Sequence, residues 1–197
     1  MSFKLQASPV SSAAGIPAHG WMPALPWPVR PARSTAGRTF PHARQTKHHR
    51  SAQHTAGGRT HRVDQYLLHG EMYADMGLHK LAEKALHESA HEREHAQAII
   101  QRILFLEGKP DLSKREALQI GSTVPEMLKS DLAVEYKVTR ELKKAIALCE
   151  QEADYVSREM LVLQLDDTEM DHAYFLEKQL RLIELTGLAN YLQSQMA

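Results

Sequence analysis

Several absences from this 197-residue sequence exclude whole classes of protein. The single cysteine, Cys149, excludes an internal disulfide framework and favours a reducing compartment, so we expect a cytoplasmic protein. No apolar run approaches the roughly 18 residues of a membrane span, so we expect no membrane partner. Strand-type alternation of apolar and polar residues is also absent, and after residue 111 only Gly121, Pro125 and Gly187 could interrupt a helix. The sequence therefore predicts an all-α domain.

Acidic residues are missing from the first 63 residues, which carry nine Lys and Arg, six His and seven Pro. Residues 64–197 hold all 24 acidic residues and the other 15 Lys and Arg, a net charge of −9. Because prolines and a glycine pair interrupt any helical period, we expect a disordered basic segment over residues 1–58 and a folded domain over residues 59–197. The basic segment is open to four interpretations: a polyanion-binding tail, an organellar transit peptide, an inert extension or a stretch read in a shifted frame.

The period of the apolar residues after residue 59 is helical throughout. It predicts four main helices and a short terminal one, at about residues 60–76, 78–106, 125–150, 154–186 and 188–195. A capping box between Thr123 and Glu126 marks the start of the third helix. The connection over residues 107–123 is long enough to run the length of a bundle. We therefore expect a four-helix bundle with one long crossover and a short fifth C-terminal helix.

Acidic side chains on the apolar stripes of three predicted helices are informative, because a buried carboxylate is costly unless something neutralises it. Glu92 and His95 lie on the stripe of the second helix, and Glu169 and His172 lie on that of the fourth. Glu135 lies on the stripe of the third helix. A Glu-x-x-His pair places both side chains on one helix face, where they can chelate one metal ion. Two such pairs with a further carboxylate predict a site for two iron or manganese ions.

A third Glu-x-x-His pair, formed by Glu88 and His91, receives a different interpretation. A single pair of this kind is usually solvated, and His91 lies off the stripe although Glu88 lies near it. We therefore expect this pair to belong to the solvated surface of the second helix.

The first helix does not supply the fourth carboxylate that such a metal centre needs. Counting back along the inward face from Tyr66 leads through Val63 to Arg59. No acidic residue lies upstream, and Asp64 lies off the inward face. An arginine at this position would repel metal ions, because both are cations.

Six short segments of the sequence resemble the corresponding segments of the bacterioferritins. They are DQYLLH at 64–69, HESAHEREH at 87–95, RILFLEG at 102–108, MLKSDLA at 127–133, DYVSR at 154–158 and NYLQS at 190–194. The resemblance covers about residues 63–195 and implies the ferritin-like form of the four-helix bundle. It also implies an oligomer, and we expect no nucleic-acid partner. The oligomer is either a 24-subunit cage of identical chains or a hetero-oligomer with another bacterioferritin subunit.

The resemblance further implies a ferroxidase. Such a protein oxidises Fe(II) with O2 or peroxide at a non-haem di-iron site inside each subunit and stores the ferric product as mineral. The match assigns five ligands and places Tyr66 beside the centre. The ligands are Glu92, His95, Glu135, Glu169 and His172. The protein supplies geometry and anionic ligands, whereas the redox chemistry is that of the metal.

Two departures from the bacterioferritin pattern change these expectations. Arg59 stands where the family has its first carboxylate ligand. The alternative to a ferroxidase is therefore a catalytically impaired structural subunit that co-assembles with an intact bacterioferritin. Arg93 stands where the family has the methionine that binds haem between two subunits, so we expect no haem b in a homodimer.

Overall fold

The computed structural model describes the backbone of residues 46–113 and 117–196 and, from residue 61 onward, the side chains of the same residues. The predictions for residues 1–45 lie outside the described residues, and so does the side chain of Arg59. Within these bounds the chain is helical and has no strand, which confirms the predicted all-α class. None of the described helices offers an apolar stretch that could cross a membrane.

Six α-helices and one π-helical segment follow one another along the described chain. They are α1 (Thr46–Asp75), α2 (His79–Phe105), α3 (Val124–Gln151), α4 (Tyr155–Asp166), the π segment (Asp167–Ala173), α5 (Tyr174–Thr186) and α6 (Leu188–Gln195). The π segment joins α4 directly to α5, so these three elements form the fourth long helix. The second helix and the terminal helix have their predicted bounds to within one residue.

The first helix is longer than predicted, because α1 begins at Thr46 instead of near residue 60. Residues 46–58, expected to be disordered, are helical, and they include Gly57 and Gly58. A glycine inside a helix costs only about 1 kcal/mol relative to alanine, so two of them weaken a helix without ending it. The expectation for residues 46–58 is corrected accordingly, and α1 crosses the domain boundary predicted at residue 59.

Both ends of α3 lie where the sequence predicts them. The carboxylate of Glu126 accepts from the backbone N–H of Thr123 at 3.1 Å, and the Thr123 hydroxyl accepts in return from the backbone N–H of Glu126. This completes the predicted capping box. The turn between α3 and α4 lies within one residue of the break predicted between residues 150 and 154, and in it Ala153 adopts a left-handed φ of 56°. Asp154 then caps α4 by accepting from the backbone N–H of Ser157 at 3.1 Å.

The helices enclose two separate apolar layers. α1 packs against α2 and α3, α3 packs against all parts of the fourth long helix, and α2 packs against α4. The first apolar layer contains buried side chains including Tyr73, Leu81, Ala85, Met127, Leu128 and Leu176. The second apolar layer contains Ile99, Ile103, Val138, Leu142, Ala145, Cys149 and Leu161.

A buried polar layer lies between the two apolar layers, because α2, α3 and the fourth long helix each carry polar residues between their contributions to the two clusters. We use the name polar layer for Arg62, Glu88, Glu92, His95, Glu135 and His172, all of which are buried. Burying so many ionisable groups is stable only if they pair with one another or bind ions.

Candidate metal centre

An arginine side chain occupies the middle of the polar layer. Arg62 reaches inward from α1, and its two terminal nitrogens donate to Glu92 of α2 and to Glu135 of α3. All three side chains are fully buried, with 0% exposure. A guanidinium presents its donors in a planar fork, so one arginine can bind two carboxylates that lie on different helices.

The charge of Arg62 is held in place by these two carboxylates. Burial alone would lower the pKa of the guanidinium, but Glu135 and Glu92 together raise it above its ordinary value. The side chain therefore stays protonated throughout the accessible pH range. Chemically, the guanidinium fills the role that a metal cation would fill between Glu92 and Glu135.

His172 faces the same two carboxylates from the π segment. Its Nδ1 lies 3.3 Å from Oε1 of Glu92 and 3.7 Å from Oε1 of Glu135, and its Nε2 pairs with Glu88. Burial alone would lower the pKa of the imidazole. The carboxylates around it raise that pKa to about 11 instead. With no metal ion bound the ring is therefore a cation at neutral pH, and a metal ion would have to displace its proton in order to coordinate it.

Glu88 belongs to this buried network and not to the solvated surface. Its side chain is 3% exposed, contrary to the expectation from the sequence. It pairs with His172 and, at 2.5 Å, with Lys84 one turn earlier on α2. Burial would raise the pKa of Glu88, but these two cations lower it to about 2. The carboxylate therefore stays ionised in this environment.

Tyr66 lies beside the centre, in the place that the sequence analysis predicts for it. Its hydroxyl donates to Oε1 of Glu135 at 2.6 Å. Burial and the neighbouring charge of Glu135 raise the pKa of the phenol well above its ordinary value, so the hydroxyl remains a donor. A second buried network adjoins it, in which His69 Nδ1 lies 2.8 Å from Asp131 and Gln65 donates to the same carboxylate at 2.8 Å. These contacts fasten α1 to α3 next to the centre.

Glu169 is the one predicted ligand that the structure places away from the others. Its side chain is 42% exposed and pairs with Lys143 at 2.6 Å. The π segment has a wider turn than an α-helix, so inward positions shift relative to the predicted 3.6-residue stripe. Thr168 takes the inward position, and its hydroxyl donates to the carbonyl of Gln164 at 2.7 Å. Glu169 and His172 therefore do not form a chelating pair here.

His95 presents its two ring nitrogens to different carboxylates. Nδ1 lies 3.6 Å from Oε1 of Glu92, on the side of the predicted centre. Nε2 lies 3.1 Å from Oδ2 of Asp167, the first residue of the π segment. The structure thus brings together Glu92, Glu135 and His172 and places His95 at their edge.

The sequence analysis does not identify Arg62 and assigns Glu88 to the surface, although both positions carry a signal. Residue 62 lies one helical turn before Tyr66, so it shares the inward face of α1 with that side chain. Residue 88 lies one turn before Glu92 on α2. In each case the nearest inward neighbour of a recognised site residue is itself part of the polar layer. For Asp167 the sequence offers no comparable signal, because its placement depends on the π segment.

Comparison with known proteins agrees with the architecture. The ferritin-like domain family matches residues 60–186. The chain belongs to the ferritin family. It is 58% identical over 134 residues to the bacterial ferritin of Synechocystis sp., across 68% of this chain and 86% of that protein. It is 53% identical over 133 residues to the bacterial ferritin of Pseudomonas aeruginosa, again across 68% and 86%. It is 40% identical over 129 residues to the bacterioferritin of Mycobacterium avium, across 66% and 80%. These findings confirm the resemblance to bacterioferritins.

The side chains of this ferritin-family centre, as they are arranged, do not fit a pair of iron ions. Glu92, Glu135 and His172 can bring one donor atom each within 4.8 Å of one another, which is a suitable spacing for a metal. Arg62 is bonded to both carboxylates, however, and the carboxylates around His172 raise the pKa of its imidazole, which favours a proton there. Glu169 lies outside the group. Arg62 thus already supplies the positive charge that Glu92 and Glu135 require.

Proposed function

We propose that this chain is an iron-storage subunit of the bacterial ferritin type whose carboxylate centre is closed by Arg62. The observation that carries the proposal is the buried guanidinium bonded to Glu92 and Glu135. Ferrous ions would have to displace a fixed cation from a site with 0% exposure, so binding at this centre is strongly disfavoured. The role that remains is that of the alternative drawn from the sequence, a structural subunit.

The fold supports a structural role, because the features that build the bundle are intact. Both apolar layers are well formed, and the capping box and the turn at 150–154 set the ends of α3. In a cage of the ferritin type such a subunit would contribute wall and mineral-facing surface, while iron oxidation would take place in intact subunits. The relatives named bacterial ferritin and bacterioferritin are the class of partner that we propose for co-assembly.

A second candidate function is ferroxidation by this chain itself. The specific observation in its favour is that Glu92, Glu135 and His172 have donor atoms within 4.8 Å of one another. Fe(II) and O2 or peroxide would be its substrates. This function requires the side chain of Arg62 to leave the centre, so the two candidates differ in a way that one substitution can test.

Titration of Fe(II) in air into the full chain distinguishes the two candidates. We expect the unaltered chain to oxidise Fe(II) no faster than buffer, and we expect Arg62→Ala to bind and oxidise it faster than the unaltered chain. Arg102→Ala is the matched control, since it removes a partly buried arginine that pairs with Asp154 outside the polar layer. Rapid saturation of the unaltered chain near two irons per subunit would contradict the structural role and support ferroxidation.

Co-expression with an intact bacterial ferritin tests the co-assembly part of the proposal. Native mass spectrometry should find oligomers that contain both chains. Their initial rate of Fe(II) oxidation should scale with the number of intact subunits. Oligomers of the two chains that never mix would contradict co-assembly.

A further inference from the structure

Histidine and carboxylate donors form three groups among the described residues that could each hold one metal ion. In the first, Glu92, Glu135 and His172, the carboxylates already bind Arg62. The second also includes His172, together with Glu88 and His91, and its Glu88 already pairs with Lys84. Built-in cations thus satisfy the carboxylates of both groups.

The third group, like the second, has two histidines and one carboxylate, but Lys84 pairs with the carboxylate of the second group, whereas His95 is the partner shown for that of the third. It consists of His91 and His95, one turn apart on α2, and Asp167 of the π segment. Its single carboxylate contacts a histidine, with Asp167 Oδ2 lying 3.1 Å from His95 Nε2. We infer that these three residues form a separate site for one divalent transition-metal ion beside the closed centre. This site goes beyond the proposed function and does not depend on it.

The geometry of the three side chains suits one shared ion. The rings of His91 and His95 have centroids 4.5 Å apart, because residues four apart on a helix face the same side. Asp167 approaches from the opposite helix, and one donor atom from each residue lies within 4.8 Å of the other two. A metal ion shared by these three donors would lie about 2.0–2.2 Å from each of them.

An orphaned nitrogen gives independent support. Nδ1 of His91 is buried and has no hydrogen-bond partner among the described residues. A buried polar atom without a partner costs about 1–3 kcal/mol, so sites of this kind are usually satisfied by an ion or a water molecule. A metal ion can satisfy Nδ1 of His91 directly by coordinating it. Alternatively, the ion can coordinate Nε2 and thereby fix the orientation of the ring.

The surroundings of the group resemble those of working metal sites. Nδ1 of His95 faces Oε1 of Glu92 at 3.6 Å, so a carboxylate lies behind the histidine ring, as it often does in metal sites. Arg62 holds that carboxylate in turn. The side chain of Asp167 is 41% exposed, which gives ions access from solvent. π-helical segments such as the one that presents Asp167 occur frequently at functional sites.

The donor set defines the class of ion. Two imidazoles and one carboxylate favour first-row divalent transition metals over Mg²⁺ or Ca²⁺, which prefer oxygen donors. Three protein ligands also leave at least one coordination position for water or another small ligand. Co²⁺ is a suitable probe, because its visible absorption reports its coordination directly and because the ion does not oxidise readily in air.

The test is a titration of the full chain with Co²⁺, followed by removal of loosely bound ions and a count of cobalt per chain. We expect His91→Ala and Asp167→Asn each to lower the count by one and to remove the same visible absorption band. His79→Ala is the matched control, because it removes an exposed histidine from the same helix and should leave the count unchanged. The five histidines before residue 60 are present in every variant, so any cobalt that they bind cancels in the comparison. They are His19, His42, His48, His49 and His54.

Two results would overturn the proposal. One is an unchanged cobalt count in Asp167→Asn, a variant that keeps the size of the side chain and therefore remains informative even if His91→Ala folds poorly. The other is loss of the ion in His87→Ala but not in Asp167→Asn, which would mean that His87 and His91 bind the ion on α2 without Asp167. Repeating Asp167→Asn in the Arg62→Ala background separates this proposal from the proposed function. The loss of one Co²⁺ should persist there even if Arg62→Ala opens the other centre.

Discussion

The apolar layers and the polar layer use the same helices but are stabilised in different ways. In the two apolar layers the side chains leave water without needing specific partners, and burial alone is favourable. In the polar layer each buried charge needs a partner of opposite sign. The carboxylates of Glu88, Glu92 and Glu135 face the cations Lys84, Arg62 and His172.

The proposed closure of the centre by Arg62 requires no change in the two apolar layers. The carboxylates of Glu92 and Glu135 lie on α2 and α3, and the charge that neutralises them is that of Arg62 on α1. Because an arginine is covalently attached, it contributes its charge at every metal concentration. The fold of this chain is therefore expected to be independent of iron, and the following predictions sharpen the contrast between the layers.

The largest expected effect is that of Arg62→Ala. It leaves two buried carboxylates without their shared cation, and breaking a buried ion pair in this way costs about 3–5 kcal/mol. The apolar counterpart is Leu142→Ala, which opens a cavity in the second apolar layer and costs about 2–5 kcal/mol. Urea unfolding in the presence of a chelator measures the free energy of unfolding of both variants.

Addition of Zn²⁺ distinguishes the two losses. Relative to the unaltered chain, Zn²⁺ should restore much of the stability of Arg62→Ala, because Glu92 and Glu135 can then bind a cation. It should restore nothing in Leu142→Ala, where only apolar contacts are missing. An equal effect of Zn²⁺ on both variants would contradict the idea that Arg62 stands in for a metal.

A smaller effect is expected from Glu88→Gln, and it should depend on pH. The folded-state pKa of Glu88 is lowered from 4.5 to about 2, so its carboxylate stabilises the fold above pH 4.5. That contribution is lost as the pH falls from 4.5 towards 2. We expect Glu88→Gln to cost about 2 kcal/mol at pH 6 and the difference from the unaltered chain to shrink on acidification. Urea unfolding across this pH range measures it.

Glu159→Gln provides the control for the acid titration, because Glu159 is exposed on α4. Its stability difference from the unaltered chain should stay small and nearly constant over the same pH range. A gap for Glu88→Gln that does not change between pH 6 and pH 2 would mean that the charge of Glu88 is not what stabilises the layer.

The smallest effect is expected from Thr123→Ala, at the start of α3 and outside all three layers. Removing the capping hydroxyl from Thr123 should cost about 1 kcal/mol, because the backbone N–H of Glu126 loses its partner. A thermal unfolding scan measures this as a modest fall in Tm. The number of Co²⁺ ions bound per chain should not change, since Thr123 belongs to none of the three groups that could hold a metal ion. A loss larger than that of Glu88→Gln would contradict the ranking.

The apolar layers and helix ends could be predicted from the sequence because their signals are local. The period of the apolar residues gives the course of α2 and α6, and the short-range hydrogen bonds of the capping box give the start of α3. The start of α1 could not be predicted in the same way. Two glycines reduce helix propensity, but propensity is a weak signal beside the packing of residues 61–75 on α2 and α3.

The site was predicted in part. Glu92, Glu135, His172 and Tyr66 do meet in one place, as their phase on the helices indicates. Glu169 does not join them, because the π segment shifts the inward positions by an amount that the average helical period does not contain. That Glu169 is a metal ligand remains a prediction, and the Fe(II) titration of Arg62→Ala is relevant to it.

The sequence by itself determined the family, the helices and the presence of acidic residues at inward positions, because these follow from local period and short motifs. Only the tertiary structure decided that Arg62 neutralises Glu92 and Glu135. That outcome depends on how far α1 lies from α2 and α3, and a long flexible side chain can reach a buried charge from more than one position. The same reason applies to Asp167, which meets His95 only because the fourth long helix widens beside it.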